Sequence, residues 1–162
     1  MVSADQQWFA WAAGIIDGEG CIYLRRKRGK RCDWWELFVE VTNTDIKMLN
    51  KLRGIFGGCI SRHHRARHEV AAHPHWKTAW RWKTTRIQAE HVIQLVYPWL
   101  VTKRDQADVA LLSRKYRGRG GRGYVLPDGD ALRWCYERLR ELKSDPTQPA
   151  CPMPLTGQGD LL

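Results

Sequence analysis

Two carboxylates, Asp17 and Glu19, stand one residue apart in the segment WAAGIIDGEGCI, Trp11 to Ile22. The residues before them read as a helix carrying four small side chains, Ala12, Ala13, Gly14 and Gly18. Gly20 then reads as a stop, and an apolar-alternating run, CIYL, begins. Small residues let two helix backbones approach closely. A carboxylate at the end of a closely paired helix is pinned at an interface, where it can hold a hard cation such as Mg²⁺. Asp17 can end the helix while Glu19 points onward. A plain amphipathic helix closed by an Asp-Gly-Glu-Gly turn would carry the same residues without chemistry, so the rest of the chain must decide.

Charge narrows the partners. Among 162 residues, Lys and Arg number 27 against 17 Asp and Glu, a formal charge of +10. A domain this basic fits a polyanion, nucleic acid before membrane. No run approaches the 18 or so apolar residues of a membrane span, and the start, MVSADQQ, is unlike a signal peptide. The irregular spacing of Cys21, Cys32, Cys59, Cys135 and Cys151 suits reduced thiols in an intracellular compartment better than a disulfide framework.

The elements that must position the carboxylates follow from periodicity. A helix is expected over 5–17, capped by Ser3 or Asp5, with Trp8, Ala12, Ile15 and Ile16 at helical spacing. Alternating strands are expected over 21–28 and 34–42, joined by the loop RKRGKRCD. Thr44 or Asp45 caps a helix that Gly57-Gly58 stops. A second hairpin is expected from Cys59–Arg67 and Trp76–Thr84, followed by helices over 86–97, 103–115 and 130–143. The stretch RGRGGRG at 117–123 reads as a flexible basic loop. One domain is expected over 1–143, with a Pro-rich, disordered tail over 144–162.

Residues Ala12 to Gly20, AAGIIDGEG, resemble the signature of the LAGLIDADG homing endonucleases, with Glu19 where Asp is commoner. The helix-strand-strand-helix-strand-strand-helix order extends the resemblance over roughly residues 5–143. It implies an α+β fold: an αββαββα core with a saddle-shaped antiparallel sheet, plus C-terminal accessory helices. No second acidic motif is present, since PDGD at 127–130 lacks the small-residue helix. The family's single-motif members act as homodimers with the motif helices packed on a two-fold axis. Ala10, Ala13 and Gly14 would then meet their own copies.

The resemblance implies a site-specific DNA endonuclease, free-standing or intron-encoded. It would make a staggered double-strand break at a long pseudo-palindromic target, using Mg²⁺, with Mn²⁺ or Ca²⁺ able to substitute for binding. Glu19 and the Gly18 carbonyl would hold the metal. Asn43 falls where the family places a polar residue near the metal's water, and Lys103 where it places a basic residue near the centre. An RNA maturase and a non-cleaving DNA-binding regulator share the fold, but the retained acid at 19 disfavours both. The partners expected are double-stranded DNA and a second copy of the chain, with no membrane and no small-molecule substrate.

With the sheet in the major groove, alternation picks the side chains that face DNA. They are Tyr23, Arg25 and Lys27; Glu36, Phe38 and Glu40; Ser61, His63 and Arg65; and Lys77, Arg81 and Lys83. Arg28, Lys30 and Arg31 in the hairpin loop would touch phosphates. His63, His64, His68, His73 and His75 crowd near Cys59, which makes a zinc site conceivable, but no C-x2-C or H-x3-H pair is flanked by a matching Cys pair and the run straddles a hairpin.

Overall fold

The computed structural model describes residues 3–28, 33–64, 75–118 and 128–144. The protein is α+β. In chain order come α1 (Ala4–Glu19), β1 (Gly20–Lys27), β2 (Trp34–Asn43), α2 (Ile46–Phe56), β3 (Cys59–Arg62), β4 (Trp80–Thr85), α3 (Arg86–Val96), a 3-10 turn (Tyr97–Trp99), α4 (Arg104–Tyr116) and α5 (Gly129–Ser144). The strands form one sheet in the order β1-β2-β4-β3. The expected tail from 145 onward and most of the 117–123 loop lie outside the described residues. Among those described, no helix is long and apolar enough to cross a membrane.

Packing divides the chain into two compact units. The first comprises Met1–Cys21 and Phe38–Arg104. Here Ser3 starts α1 with a capping box: its hydroxyl accepts from Gln6 N–H, and the Gln6 side chain accepts from Ser3 N–H at 2.9 Å. Ala12, Ala13 and Ile16 form the buried face of α1, and the Phe9 ring lies 6.0 Å from Phe56 and 6.2 Å from Trp99. Trp8, expected inward, is 41% exposed. Asp45 caps α2, accepting from Lys47 N–H at 2.8 Å, and Leu49, Leu52 and Phe56 turn inward.

The β2–β4 ladder sets Val41 opposite Trp82 and Glu40 opposite Lys83. Val39, Val41, Trp82 and Thr84 therefore share one face, and all four are buried. The Trp82 indole also donates to the Gly57 carbonyl at 2.8 Å, tying β4 to the end of α2. Truncating such a residue to Ala typically costs about 3–5 kcal/mol. Gly58 has φ of +85°, and a Cβ there would sit 2.7 Å from the Lys83 carbonyl oxygen, so only glycine lets the chain turn this close to β4.

The second unit comprises Ile22–Leu37 and Asp105–Leu162. In β1, Ile22 and Leu24 are buried and the residues from Arg25 onward are exposed. In α5, Ala131, Leu132, Cys135, Leu139 and Leu142 recur at helical spacing and are buried. Asp128 caps this helix, accepting from Ala131 N–H at 3.0 Å, and the Trp35 ring meets Tyr136 at 5.5 Å. Burial pushes the Cys135 thiol up to about 11, so it stays a protonated, inert core group.

Three boundaries differ from expectation by two residues or more. α1 runs on to Glu19 rather than ending at residue 17. β3 ends at Arg62, short of 67, and β4 begins at Trp80 rather than Trp76. Residues 76–78 are consequently exposed and outside the sheet.

Candidate functional site

The end of α1 is fixed by contacts from far along the chain. Asp17 Oδ2 accepts from Val101 N–H at 2.7 Å, and Oδ1 accepts from Lys103 N–H at 2.9 Å. The Asp17 backbone carbonyl accepts from the Lys103 ammonium and from Thr102 Oγ1. Partial burial raises the Asp17 carboxyl, but the amides of Val101 and Lys103, with Thr102, outweigh it and hold the group below its ordinary value of 3.8. Asp17 is thus a permanently charged clamp on the 101–103 turn. Arg104 braces the same turn from the other side, donating to the carbonyls of Leu100 (3.1 Å) and Pro98 (3.2 Å).

With Asp17 so occupied, it does not end the helix; Gly20 does. The Gly20 N–H donates to Ile16 O, and a Cβ at this position would lie 2.6 Å from that oxygen. Gly18 and Glu19 therefore form the last helical residues, and both are exposed. The Gly18 carbonyl falls in the final turn, where no intrahelical partner exists. Glu19 contributes a carboxylate beside it. These are hard oxygen donors open to solvent, the set that suits Mg²⁺, which keeps most of its waters and takes few protein ligands. Among the described residues no cluster of three or more His, Cys, Asp or Glu could hold a metal alone.

Gly18, Glu19 and Lys103 are thus brought to one helix end. Asn43 is employed locally: its Oδ1 accepts from Asp45 N–H at 2.9 Å, shaping the turn into α2. The sequence reading missed the reach of Asp17 to residues 101–103. Its signal was the polar segment TKRD following Pro98.

The outer strand face is less open than alternation implied. Glu36 is 7% exposed and Phe38 3%, although both lie on the face opposite Leu37 and Val39. Long basic neighbours cover them. Lys27 Nζ pairs with Glu36 at 2.6 Å, and Lys83 Nζ lies 5.5 Å from the centre of the Phe38 ring. Neither residue is placed to face a duplex as expected. Glu40 and Arg81 are paired at 3.6 Å, and Arg81 also meets His63. In the second unit, the Tyr23 ring carries Lys143 at 5.3 Å and lines a cavity with Arg25, Arg140 and Tyr136. Arg28, Ser61 and Lys77 are exposed, Lys77 in the segment before β4. Lys30, Arg31 and Arg65 lie outside the described residues.

One expected interface residue is misplaced. Ala13 is fully buried within the chain and cannot meet a second copy. Ala10 is half-buried, while Gly14 and Gly18 are open, with nothing within 4 Å of a Cβ at either. The open stripe of α1 therefore runs through Gly14 and Gly18, with the half-buried Trp11 one turn before Gly14.

No family model matches the chain, and no curated protein matches it in sequence. Solved structures do. Over 90% of its length, and 87% of the other chain, the protein is similar to the homing endonuclease I-CvuI with the I-CreI target in 2 mM Mg, where the DNA is not cleaved (TM-score 0.62, 18% identity). I-CvuI with its Sro1.3 target in 2 mM Ca gives a TM-score of 0.56 at 19% identity, covering 84% of this chain and 96% of that one. The LAGLIDADG homing endonuclease I-GzeII with its DNA target gives 0.55 at 12% identity over 95% of this chain, which spans 53% of that one. The chain has the fold of the LAGLIDADG homing endonucleases. Its AAGIIDGEG segment forms the end of α1 and its Gly20 cap; there Asp17 meets Lys103, and the exposed Glu19 lies two residues after Asp17.

Proposed function

We propose that this protein is a homing endonuclease of the LAGLIDADG type. It binds double-stranded DNA as a homodimer and makes a staggered double-strand break at a long pseudo-palindromic site by Mg²⁺-dependent phosphodiester hydrolysis. The observation that carries this reading is the construction at the end of α1. There an exposed Glu19 carboxylate and the Gly18 carbonyl are held rigid, because Asp17 and Lys103 lock the helix end to the 101–103 turn.

Each group has a role that its placement supports. Glu19 and the Gly18 carbonyl hold the divalent ion. That ion, when bound, supplies charge stabilisation at phosphorus and activates water. Lys103 holds a positive charge one residue from Gly18, where charge develops on the scissile phosphate. Asp17 orients both and touches neither substrate nor metal. A single carboxylate per chain is a sparse metal site, and two chains joined along Trp11, Gly14 and Gly18 would bring two Glu19 side chains to a shared centre. The formal charge of +10 supports binding to a polyanion. Among the described residues, the free thiols at Cys59 and Cys135 support an intracellular, reducing compartment.

The test is cleavage of a DNA library with randomised target sites, with Mg²⁺ and with EDTA. Mg²⁺-dependent double-strand cuts at one near-palindromic sequence would support the reading. Enrichment of bound DNA without cutting would replace it with a regulator, and tight binding to structured RNA alone with a maturase.

A further inference from the structure

We propose that Arg81 reads a guanine in the major groove of the target, held in its reading pose by Glu40 on one side and His63 on the other; this rests on the DNA-binding reading above. Arg81 lies on β4, on the face opposite the buried Trp82. Its Nη2 is 2.5 Å from His63 Nδ1, and its Nε is 3.6 Å from Glu40 Oε1. Arginine only donates, so a hydrogen bond here requires Nδ1 to be the acceptor, the tautomer that carries its proton on Nε2. The main chain that carries this imidazole is fixed, because the His63 backbone N–H donates to the Ala79 carbonyl at 2.9 Å, one step past the Arg62–Trp80 pair of the β3–β4 ladder. The Glu40 contact is an ion pair rather than a hydrogen bond, since 3.6 Å is too long for one.

Exposure assigns the roles within this trio. The Glu40 side chain is 12% exposed and that of Arg81 34%, so Arg81 is the more open of this pair, although its Nε is buried. One of its five N–H groups goes to His63 and one faces Glu40. The remaining hydrogens on Nη1 and Nη2 form the fork that matches guanine O6 and N7. Two features favour a base edge over a phosphate. The adjacent carboxylate repels a phosphate but not a neutral base. The bracing fixes the guanidinium plane before binding, which a planar two-point contact needs and a point charge does not. Glu40, neutralised and mostly covered, is a positioning residue and not a reader of cytosine.

The experiment selects bound sequences from a randomised-site DNA library, using the full chain and its Arg81→Gln, Arg81→Lys, Glu40→Gln and His63→Phe variants. Arg81→Gln should lower the preference for guanine at one position by roughly 5- to 150-fold and leave the other positions unchanged. Arg81→Lys, which keeps the charge and loses the fork, should lose the same preference while keeping the salt dependence of binding. Glu40→Gln and His63→Phe should weaken that same position and no other, which a merely structural role would not do. An even loss of affinity across all positions in Arg81→Gln, with a shallower salt dependence, would make Arg81 a phosphate contact and overturn the proposal. A wild-type consensus unmoved in both Arg81 variants would overturn it alone, whereas a wild-type chain that selects no DNA would overturn the endonuclease reading as well.

Discussion

The ammonium of Lys103 donates to the backbone carbonyl of Asp17, 86 residues earlier, while the Asp17 carboxylate accepts from the Lys103 amide at 2.9 Å. The two residues grip each other by opposite groups, and the helix end bearing Glu19 cannot shift without breaking both contacts.

Asp17→Asn should loosen that grip. It removes the charge and leaves one oxygen to serve two amides. Hydrogen bonds to charged groups contribute about 1.5–3 kcal/mol each, and the partial exposure of this site argues for about 1–2 kcal/mol in total. Urea unfolding would measure it. The folded-state value lies below 3.8, so this stability is fully present above that pH and is lost as pH falls through the lowered value. The gap between wild type and variant should accordingly close in acid.

Gly20→Ala should be far more harmful than an average glycine substitution. Its Cβ would meet Ile16 O at 2.6 Å and Ile16 Cα at 2.8 Å, both backbone atoms that cannot swing aside. A loss of about 1–3 kcal/mol is expected, with cleavage falling further than DNA binding because Glu19 is displaced. Thermal unfolding and cleavage assays on one preparation would separate the two effects.

Gly14→Ala should split folding from assembly. Nothing lies within 4 Å of the added methyl, and Ala is better than Gly in a helix by about 0.5–1 kcal/mol, so the single chain should be stabilised. If Gly14 lies at the two-fold contact, the same methyl should weaken the dimer. Sedimentation velocity would show the shift, and a tighter or unchanged dimer would remove Gly14 from the interface.

Lys103→Met should reduce the cleavage rate at least about 100-fold, the scale expected for one oriented charge near a reacting oxygen. DNA affinity should change little, since one cation among 27 Lys and Arg contributes a small share. Single-turnover cleavage against equilibrium binding would read the split.

Much of this fold was legible because its local rules agree. The Asp45 cap, the Gly57 stop and the period-two burial of Val39 and Val41 need no distant partner. The errors share one cause. Asp17 looked like a helix terminator because its true partners, Val101 and Lys103, lie far along the chain. Glu36 and Phe38 looked exposed because alternation assigns a face, not what the neighbouring Lys27 and Lys83 side chains will cover. Trp76 continued the period of Trp80 and Trp82, yet the β3–β4 ladder ends at Arg62 and Trp80, with a single His63–Ala79 backbone bond beyond it. In α1, Ala13 was small enough for a helix–helix contact, but a small residue fits a crowded core equally well.

The most direct measurement is paired binding and cleavage by Glu19→Gln on the site the wild-type chain cuts. The substitution keeps the size of the exposed side chain at the end of α1 and removes its charge. The expected result is site binding in Ca²⁺ within a few-fold of wild type and no detectable cutting in Mg²⁺. Cutting that persists in the variant would contradict the assignment of Glu19 as the metal-holding carboxylate and, with it, the chemistry placed at the end of this helix.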